Sequence, residues 1–293
     1  LGRERLNLGS CIYYNGDILT MEDELYAEAL MVTDGVISKV GKFEDVINLR
    51  DEQTSMYDLQ GMTLMPAFID THSHITALAT TLRIADLSRV KSFAEIVETL
   101  KRFREGKQFK ANDWIMGFGY DHNRLEEGRH PDKSVLDEVS TDNPVLIAHA
   151  SGHMGVVNSV ALSAVGINSE SPDPEGGVVG RVAGSSEPDG YLEEKAFISM
   201  SSEAPSATDD EMRSLMNEAQ KVYLSYGITT AQDGLVNGEE LHMLDLAASN
   251  GDLVMDVVGY VDMNKSKGLV DEHPEYLKGY RGGFRIGGYK VIL

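Results

Sequence analysis

The sequence predicts an α/β protein in which a small β domain leads into a larger domain of parallel βα units. Three observations carry that prediction. Residues 11 to about 61 read as short strands broken by turn dipeptides. Two later segments open on helix caps and continue with apolar residues at helical spacing. Strand-like runs alternate with those helices to the end of the chain. At 293 residues the chain can bury a large core.

In the first part, "CIYYNGDILTM" contains Asn15-Gly16 and "EALMVTDGVISKVG" contains Asp34-Gly35, both strong hairpin dipeptides. "SMYDLQGMTLMPAF" then leads into the apolar run "LMPAFIDTHSHI" (64–75). Ser92-x-x-Glu95 opens a helix with Phe93, Ile96, Val97, Leu100 and Phe103 on one face, closed near Gly106. Thr208-x-x-Glu211 opens a second, with Met212, Leu215, Met216, Ala219, Val222, Tyr223 and Tyr226 as its apolar stripe and Gly227 as its stop. Strand candidates are 113–120, 144–150, 228–233, 253–261 and 284–293. The Gly/Pro/Ser-rich stretch 171–190, with a short strand in its middle, reads as a long loop or hairpin excursion. There is no internal repeat or low-complexity tract.

Composition narrows the function classes. Against 26 Lys+Arg stand 47 Asp+Glu, a net charge of -21 that repels phosphate backbones and anionic headgroups. No nucleic-acid or membrane partner is therefore expected. Cys11 is the single cysteine, which excludes an intrachain disulfide and a cysteine-cluster metal site. No apolar run approaches the roughly 18 to 20 residues of a membrane span, and "LGRERLNLGS" lacks a signal peptide's apolar core, so a cytoplasmic enzyme is expected. Gly176-Gly177 and Gly282-Gly283 fit no phosphate-cradling pattern, so no nucleotide cofactor follows.

Chemistry concentrates at two places. His72 and His74 end an apolar strand, and residues two apart on a strand point the same way, so both imidazoles aim at one spot. Imidazole is the commonest nitrogen ligand of metals, which makes the pair half of a metal site, although a His pair on an exposed strand often does nothing. Lys290, in "GGYKVIL", alternates with Phe284, Ile286 and Ile292 and would project among apolar residues. Burying an unpaired ammonium is costly, so either the side chain snorkels to the rim or something interior uses it. Asp70 shares the face of His72 and His74 by the same alternation and could orient a ligand or accept backbone donors. Asp121 and His122 in "GYDHN" follow a strand end and could line a pocket, or Asp121 could bond its own turn. His130, His149, His242 and His273 read as structural or surface residues.

"PAFIDTHSH" resembles the first barrel strand of the amidohydrolase superfamily, whose two histidines hold the catalytic metal. The segments at 117–167 ("GFGYDHN" through "SGHMGVVNSVALSAVGI"), 184–194 ("GSSEPDGYLEE"), 226–234 ("YGITTAQDG") and "GGYKVIL" follow in an order similar to amidohydrolase family 3, the N-substituted formamide deformylases and their relatives. The resemblance runs from about residue 11 to the end. It implies a β-sandwich beside a metal-dependent (β/α) TIM-type barrel, with residues 1–61 in the sandwich, 62–293 in the first half of the barrel, and an insertion at about 112–200. It implies a hydrolase of C–N bonds in amides, formamides or cyclic amides, acting on a small-molecule substrate through a metal-activated water. His72, His74 and Lys290 would be ligands of one or two divalent ions, zinc most simply, with Lys290 carbamylated by carbon dioxide into a bridging anion. His153 matches a family position and, with Asp121, would face the substrate, though a core histidine is an alternative for His153. The general base has no counterpart in this chain.

Two other readings stand beside it: a deaminase, against which Lys290 argues, and a non-catalytic or fragmentary barrel serving as a binding module. A homodimer is left open. Only about half a barrel fits into 293 residues, since a (β/α) barrel takes roughly 250 before insertions. The resemblance therefore leads us to expect the N-terminal part of a longer protein, insoluble or inactive when expressed as residues 1–293 alone.

Overall fold

The structure, a computed structural model, describes residues 9–107, 109, 110 and 112–291. The chain forms two compact units: residues up to Ala79 together with those from Asp209 onward, and Thr80–Thr208. The second unit is wider than the 112–200 excursion and takes in the helix opened by Ser92.

The first unit begins with β1 (Ser10–Leu19), β2 (Tyr26–Thr33), β3 (Val36–Gly41), a short helix α1 (Phe43–Ile47), β4 (Ser55–Asp58) and β5 (Thr63–Leu64), in a five-stranded sheet of order β3-β2-β1-β4 with β5 also on β1. Ile12, Ala29, Met31 and Val46 form its buried cluster. Asp34-Gly35 makes the expected two-residue hairpin, with Thr33 paired to Val36 and φ of 50° and 77° at the two turn residues. Asn15-Gly16 does not turn. β1 runs straight through it with a register shift between Tyr14 and Ile18, because Asn15 Nδ2 donates to Asp58 Oδ1 (2.7 Å) and Gly16 lies where a Cβ would stand 2.3 Å from the Met62 carbonyl. The dipeptide is a bulge pressed against the chain after β4, and the contact needs glycine. Among the described residues no second sheet completes a sandwich with this one.

The chain continues into β6 (Phe68–Ser73) and α2 (Ile75–Thr81) and then into the second unit: β7 (Ala85–Asp86), α3 (Phe93–Glu105), β8 (Ile115–Tyr120), α4 (Lys133–Asp137), β9 (Val145–His149), β10 (Met154–Val157), α5 (Ser159–Ala164), β11 (Gly177–Arg181), β12 (Pro188–Glu194) and α6 (Lys195–Glu203). Its six-stranded sheet has the order β11-β12-β10-β9-β8-β7, parallel from β7 to β9 and antiparallel beyond. The strand candidates at 113–120 and 144–150 therefore make parallel βα units in a sheet of their own, and the 171–190 stretch is part of the β11–β12 hairpin. α3 starts as its cap predicts, with the Ser92 side chain accepting the Glu95 N–H, and buries Ile96, Val97 and Leu100.

Asn158 ties this unit together. Its fully buried amide accepts from Val145 and Ala161 N–H (2.9 Å each) and donates to the Ser140 and Asn143 carbonyls (2.9 and 3.0 Å), which caps α5 and fixes the start of β9 at once. Asn158→Ala leaves four buried backbone groups without their partner and should destabilise the unit by about 3 kcal/mol or more. Chemical denaturation followed by a probe in residues 80–208 would test this, and a loss under about 1 kcal/mol would show that water replaces the amide.

The chain returns to the first unit through α7 (Asp209–Ser225), β13 (Ile228–Val236), α8 (Gly238–Ser249), β14 (Asp256–Asp262), α9 (Leu269–Glu272) and β15 (Phe284–Lys290). With β6 these strands form a wholly parallel sheet of order β15-β14-β13-β6. Among the described residues it does not close, so β6 and β15 are edges. Leu215, Met216, Ala219 and Tyr223 of α7 are buried, whereas Val222 and Tyr226 are 37% and 71% exposed. The buried stripe centres between Ala219 and Tyr223, leaving Val222 at its margin and Tyr226 beyond the last helical residue. Among the described residues no helix is long and apolar enough to cross a membrane.

Candidate metal centre

β6 carries His72, and His74 occupies the single-residue step between β6 and α2. Their ring centroids are 6.0 Å apart. Both rings border Gly234 of β13, where an added Cβ would stand 3.2 Å from His74 Cε1 and 3.3 Å from His72 Cδ2. The strand period thus turns the two imidazoles toward one place, and the bare glycine leaves space between them. The His74 side chain is 43% exposed.

Asp70 does not share their face. β6 carries an extra residue between Asp70, paired with Ala231, and Ser73, paired with Asp233, so Asp70 turns to the side of Ser73 while its Oδ1 accepts the His72 N–H (3.2 Å). The carboxylate behind the pair is instead Asp233, to which the sequence assigned no role. It is fully buried, Oδ2 accepts from the Thr76 hydroxyl and N–H (2.6 and 3.0 Å), and Oδ1 lies 3.6 Å from His74 Nδ1. A carboxylate so placed can fix the tautomer and ring angle of a metal-bound imidazole. Its signal in the sequence is the position of Asp233 toward the C-terminal end of a parallel strand, where such folds place their chemistry.

Burial raises the Asp233 pKa above the ordinary aspartate value, against the lowering by the Thr76 hydroxyl and N–H, the Leu235 N–H and His74. The folded protein therefore keeps this proton to a higher pH than the unfolded chain. The group's contribution to stability is complete below the unfolded value and is lost as pH rises through the folded one. In metal-free protein, the stability of Asp233→Asn relative to wild type should improve as pH rises from about 4 to 7. Thermal melts across that range test this, and a difference independent of pH would refute it.

Lys290 departs from the expected alternation. Between Gly259–Ile286 and Tyr260–Gly288 the pairing of β14 and β15 slips by one residue, so Lys290 pairs with Asp262 and faces away from Phe284 and Ile286, which are buried under the helices. Ile292 lies outside the described residues. The slip places Lys290 on the side of the sheet opposite its helix-covered core, the side to which His72 also turns, and the ammonium makes no ion pair among the described residues. Three strand spacings of ~4.8 Å separate it from β6, so the histidines and the lysine are not in contact. Two imidazoles on one side of the sheet, with a buried carboxylate behind one of them, are a donor set that suits a transition-metal ion.

In the second unit, His153 is exposed and its Nδ1 lies 3.3 Å from Glu194 Oε2. Glu194, at the β12–α6 junction, has a φ of 50°. Asp121 Oδ1 accepts the Asn123 N–H (3.0 Å), the turn bond its position suggests, and lowers its pKa chiefly through it. His122, His130 and His149, spread over 28 residues of sequence, gather beside it, with His130 stacked on His122 at 4.0 Å and bonded through Nδ1 to the Tyr120 hydroxyl (3.0 Å). Burial pushes His130 down to about 4, helped by His122 and His149.

The profile of the amidohydrolase family, Amidohydro_3, matches residues 55–293. The chain belongs to that family. This amidohydrolase chain is 30% identical over 231 residues to the N-substituted formamide deformylase of Arthrobacter pascens, covering 77% of itself and 42% of that protein. It is 31% identical over 220 residues to Protein LONG AFTER FAR-RED 3 of Arabidopsis thaliana, covering 75% of itself and 37% of that protein. An uncharacterized metal-dependent hydrolase from Pyrococcus furiosus superposes with a TM-score of 0.68 at 25% identity over 96% of this chain and 55% of that one. The chain thus spans about two fifths of the length of these curated relatives. Its mixed α/β architecture is that of metal-dependent hydrolases of the amidohydrolase fold.

Proposed function

We propose that this protein acts as a metal-dependent hydrolase of C–N bonds in amides, formamides or cyclic amides. The observation that carries the reading is the convergence of His72 and His74 over Gly234, with Asp233 behind His74. A divalent ion held there, most simply zinc, would supply an acidified water and polarisation of the substrate carbonyl. His72 and His74 would hold it through ring nitrogens, and Asp233 would keep the His74 ring in one tautomer. Lys290, reacting with carbon dioxide through its neutral amine, would lose a proton and become a carbamate whose oxygens serve as anionic ligands. His153, braced by Glu194, is assigned to substrate recognition. The four-stranded parallel sheet is read as part of a (β/α) barrel and the five-stranded sheet as part of a β-sandwich. A cytoplasmic setting suits a chain with Cys11 as its one thiol.

The test is turnover of a panel of N-formyl and N-acyl compounds by purified, zinc-loaded protein. Hydrolysis lost on chelation and restored by zinc is the expected result, and metal-independent turnover would overturn it. His153→Ala should weaken turnover at least tenfold with metal content retained. Unchanged kinetics across the panel would remove His153 from substrate recognition.

A further inference from the structure

We propose that Asp121, His122 and His149 form a second metal site, for zinc or a similar borderline divalent ion, built wholly within the Thr80–Thr208 unit. The topology creates it. β8 and β9 are parallel neighbours whose last residues, Tyr120 and His149, pair beyond a one-residue slip at Gly119, so the two residues after β8 meet the end of β9. Among the described residues this is the group of three potential ligands whose donor atoms converge.

The distances suit an ion. His122 Nδ1 and His149 Nε2 are 3.2 Å apart, His149 Nε2 and Asp121 Oδ1 3.6 Å, and His122 Nδ1 and Asp121 Oδ1 4.0 Å. The circle through a triangle with these sides has a radius of about 2.1 Å, which is the length of a zinc bond to imidazole nitrogen or carboxylate oxygen. An ion at the centre of that circle lies within bonding distance of all three atoms in their own plane, and a tetrahedral ion, standing out of the plane, needs the longest side to close by roughly half an ångström. Two imidazoles and one carboxylate suit zinc, cobalt or nickel over magnesium or calcium, and three protein ligands leave a fourth position for water or a ligand atom.

The surroundings hold the three groups in place. Asp121 Oδ1 is fixed by the Asn123 N–H and side-chain amide (3.0 and 3.1 Å), and His130 stacks on the His122 ring. His149 is buried, and its far nitrogen, Nδ1, lies 2.9 Å from Ser151 Oγ and 3.0 Å from the Ser151 N–H. Without metal, Nδ1 accepts the Ser151 N–H and the ring proton sits on Nε2, between Asp121 and His122. An ion at Nε2 would need that proton on Nδ1, with the Ser151 hydroxyl turned to accept it and the Ser151 N–H giving up its bond to the ring. This role replaces the direct substrate contact expected for Asp121.

The site is tested in protein carrying His72→Ala and His74→Ala, which removes the other candidate ligands. After zinc loading and dialysis this variant should retain one zinc per chain. Adding His122→Gln and His149→Gln should remove that ion, and Asp121→Asn should weaken its binding at least tenfold. No zinc in the first variant, or one zinc kept after the two glutamines are added, would overturn the proposal. Equal zinc content in wild type and the His72/His74 variant would sink the first site and leave this one standing. Ring 15N spectra of the wild type need no substitution: saturating zinc should shift the His122 and His149 resonances, and unmoved resonances would refute the site even if the variants misfold.

Discussion

Replacing His72 and His74 together by alanine is expected to remove one bound zinc per chain and to reduce hydrolysis to background, while the helical content stays that of the wild type. Both residues lie at or just past the end of β6, an edge strand among the described residues, and neither forms part of the buried core, so their loss leaves no cavity of consequence. The loss of a metal-activated water is worth several kcal/mol of barrier, so a fall of a thousandfold or more is expected. Metal analysis, amide hydrolysis and circular dichroism on the same preparation decide the matter. Retained turnover with intact secondary structure would remove the pair from the chemistry. A companion substitution needs no change to either histidine: Gly234→Val places methyl groups between the two rings and should displace metal almost as completely.

How much of this was legible in the sequence depends on whether local period or inserted residues decided the outcome. The His72 and His74 convergence follows from a strand period of two, and the α3 cap from Ser92 and Glu95; both are local and both appear as read. Three bulges were not legible, because one or two extra residues in a strand look like any other alternation until a partner strand fixes the register. At Asn15-Gly16 a bulge replaces a turn, after Asp70 it turns that carboxylate away from the histidines, and at Gly287-Gly288 it moves Lys290 to the other face. The reach of the second unit was hidden for a related reason. Strands and helices alternate across Thr80 without any change of composition, and only strand pairing reveals that β7, β8 and β9 belong to a separate sheet. The same pairing gathers Asp121, His122 and His149, which no short motif links.

The Gly287-Gly288 slip also sharpens what Lys290 should do. On the face of Phe284 and Ile286 the ammonium would meet buried aliphatic and aromatic side chains, and mutation would test packing. On the opposite face, half-buried and without an ion pair among the described residues, its chemistry can be tested directly. Carbamylation adds the carbon of carbon dioxide to Nζ and releases one proton, converting a cation into a carboxylate-like anion. Protein equilibrated with 13C-labelled bicarbonate should therefore show a carbamate carbon resonance that vanishes in Lys290→Ala. Turnover should fall at least a hundredfold in that variant, about 3 kcal/mol of transition-state stabilisation. Short carboxylic acids should restore part of it by supplying the missing oxygens, but should not rescue Lys290→Arg, whose guanidinium neither reacts with carbon dioxide nor leaves room for an acid. A labelled wild-type protein with full metal content and no carbamate signal would show that Lys290 serves as a cation or not at all.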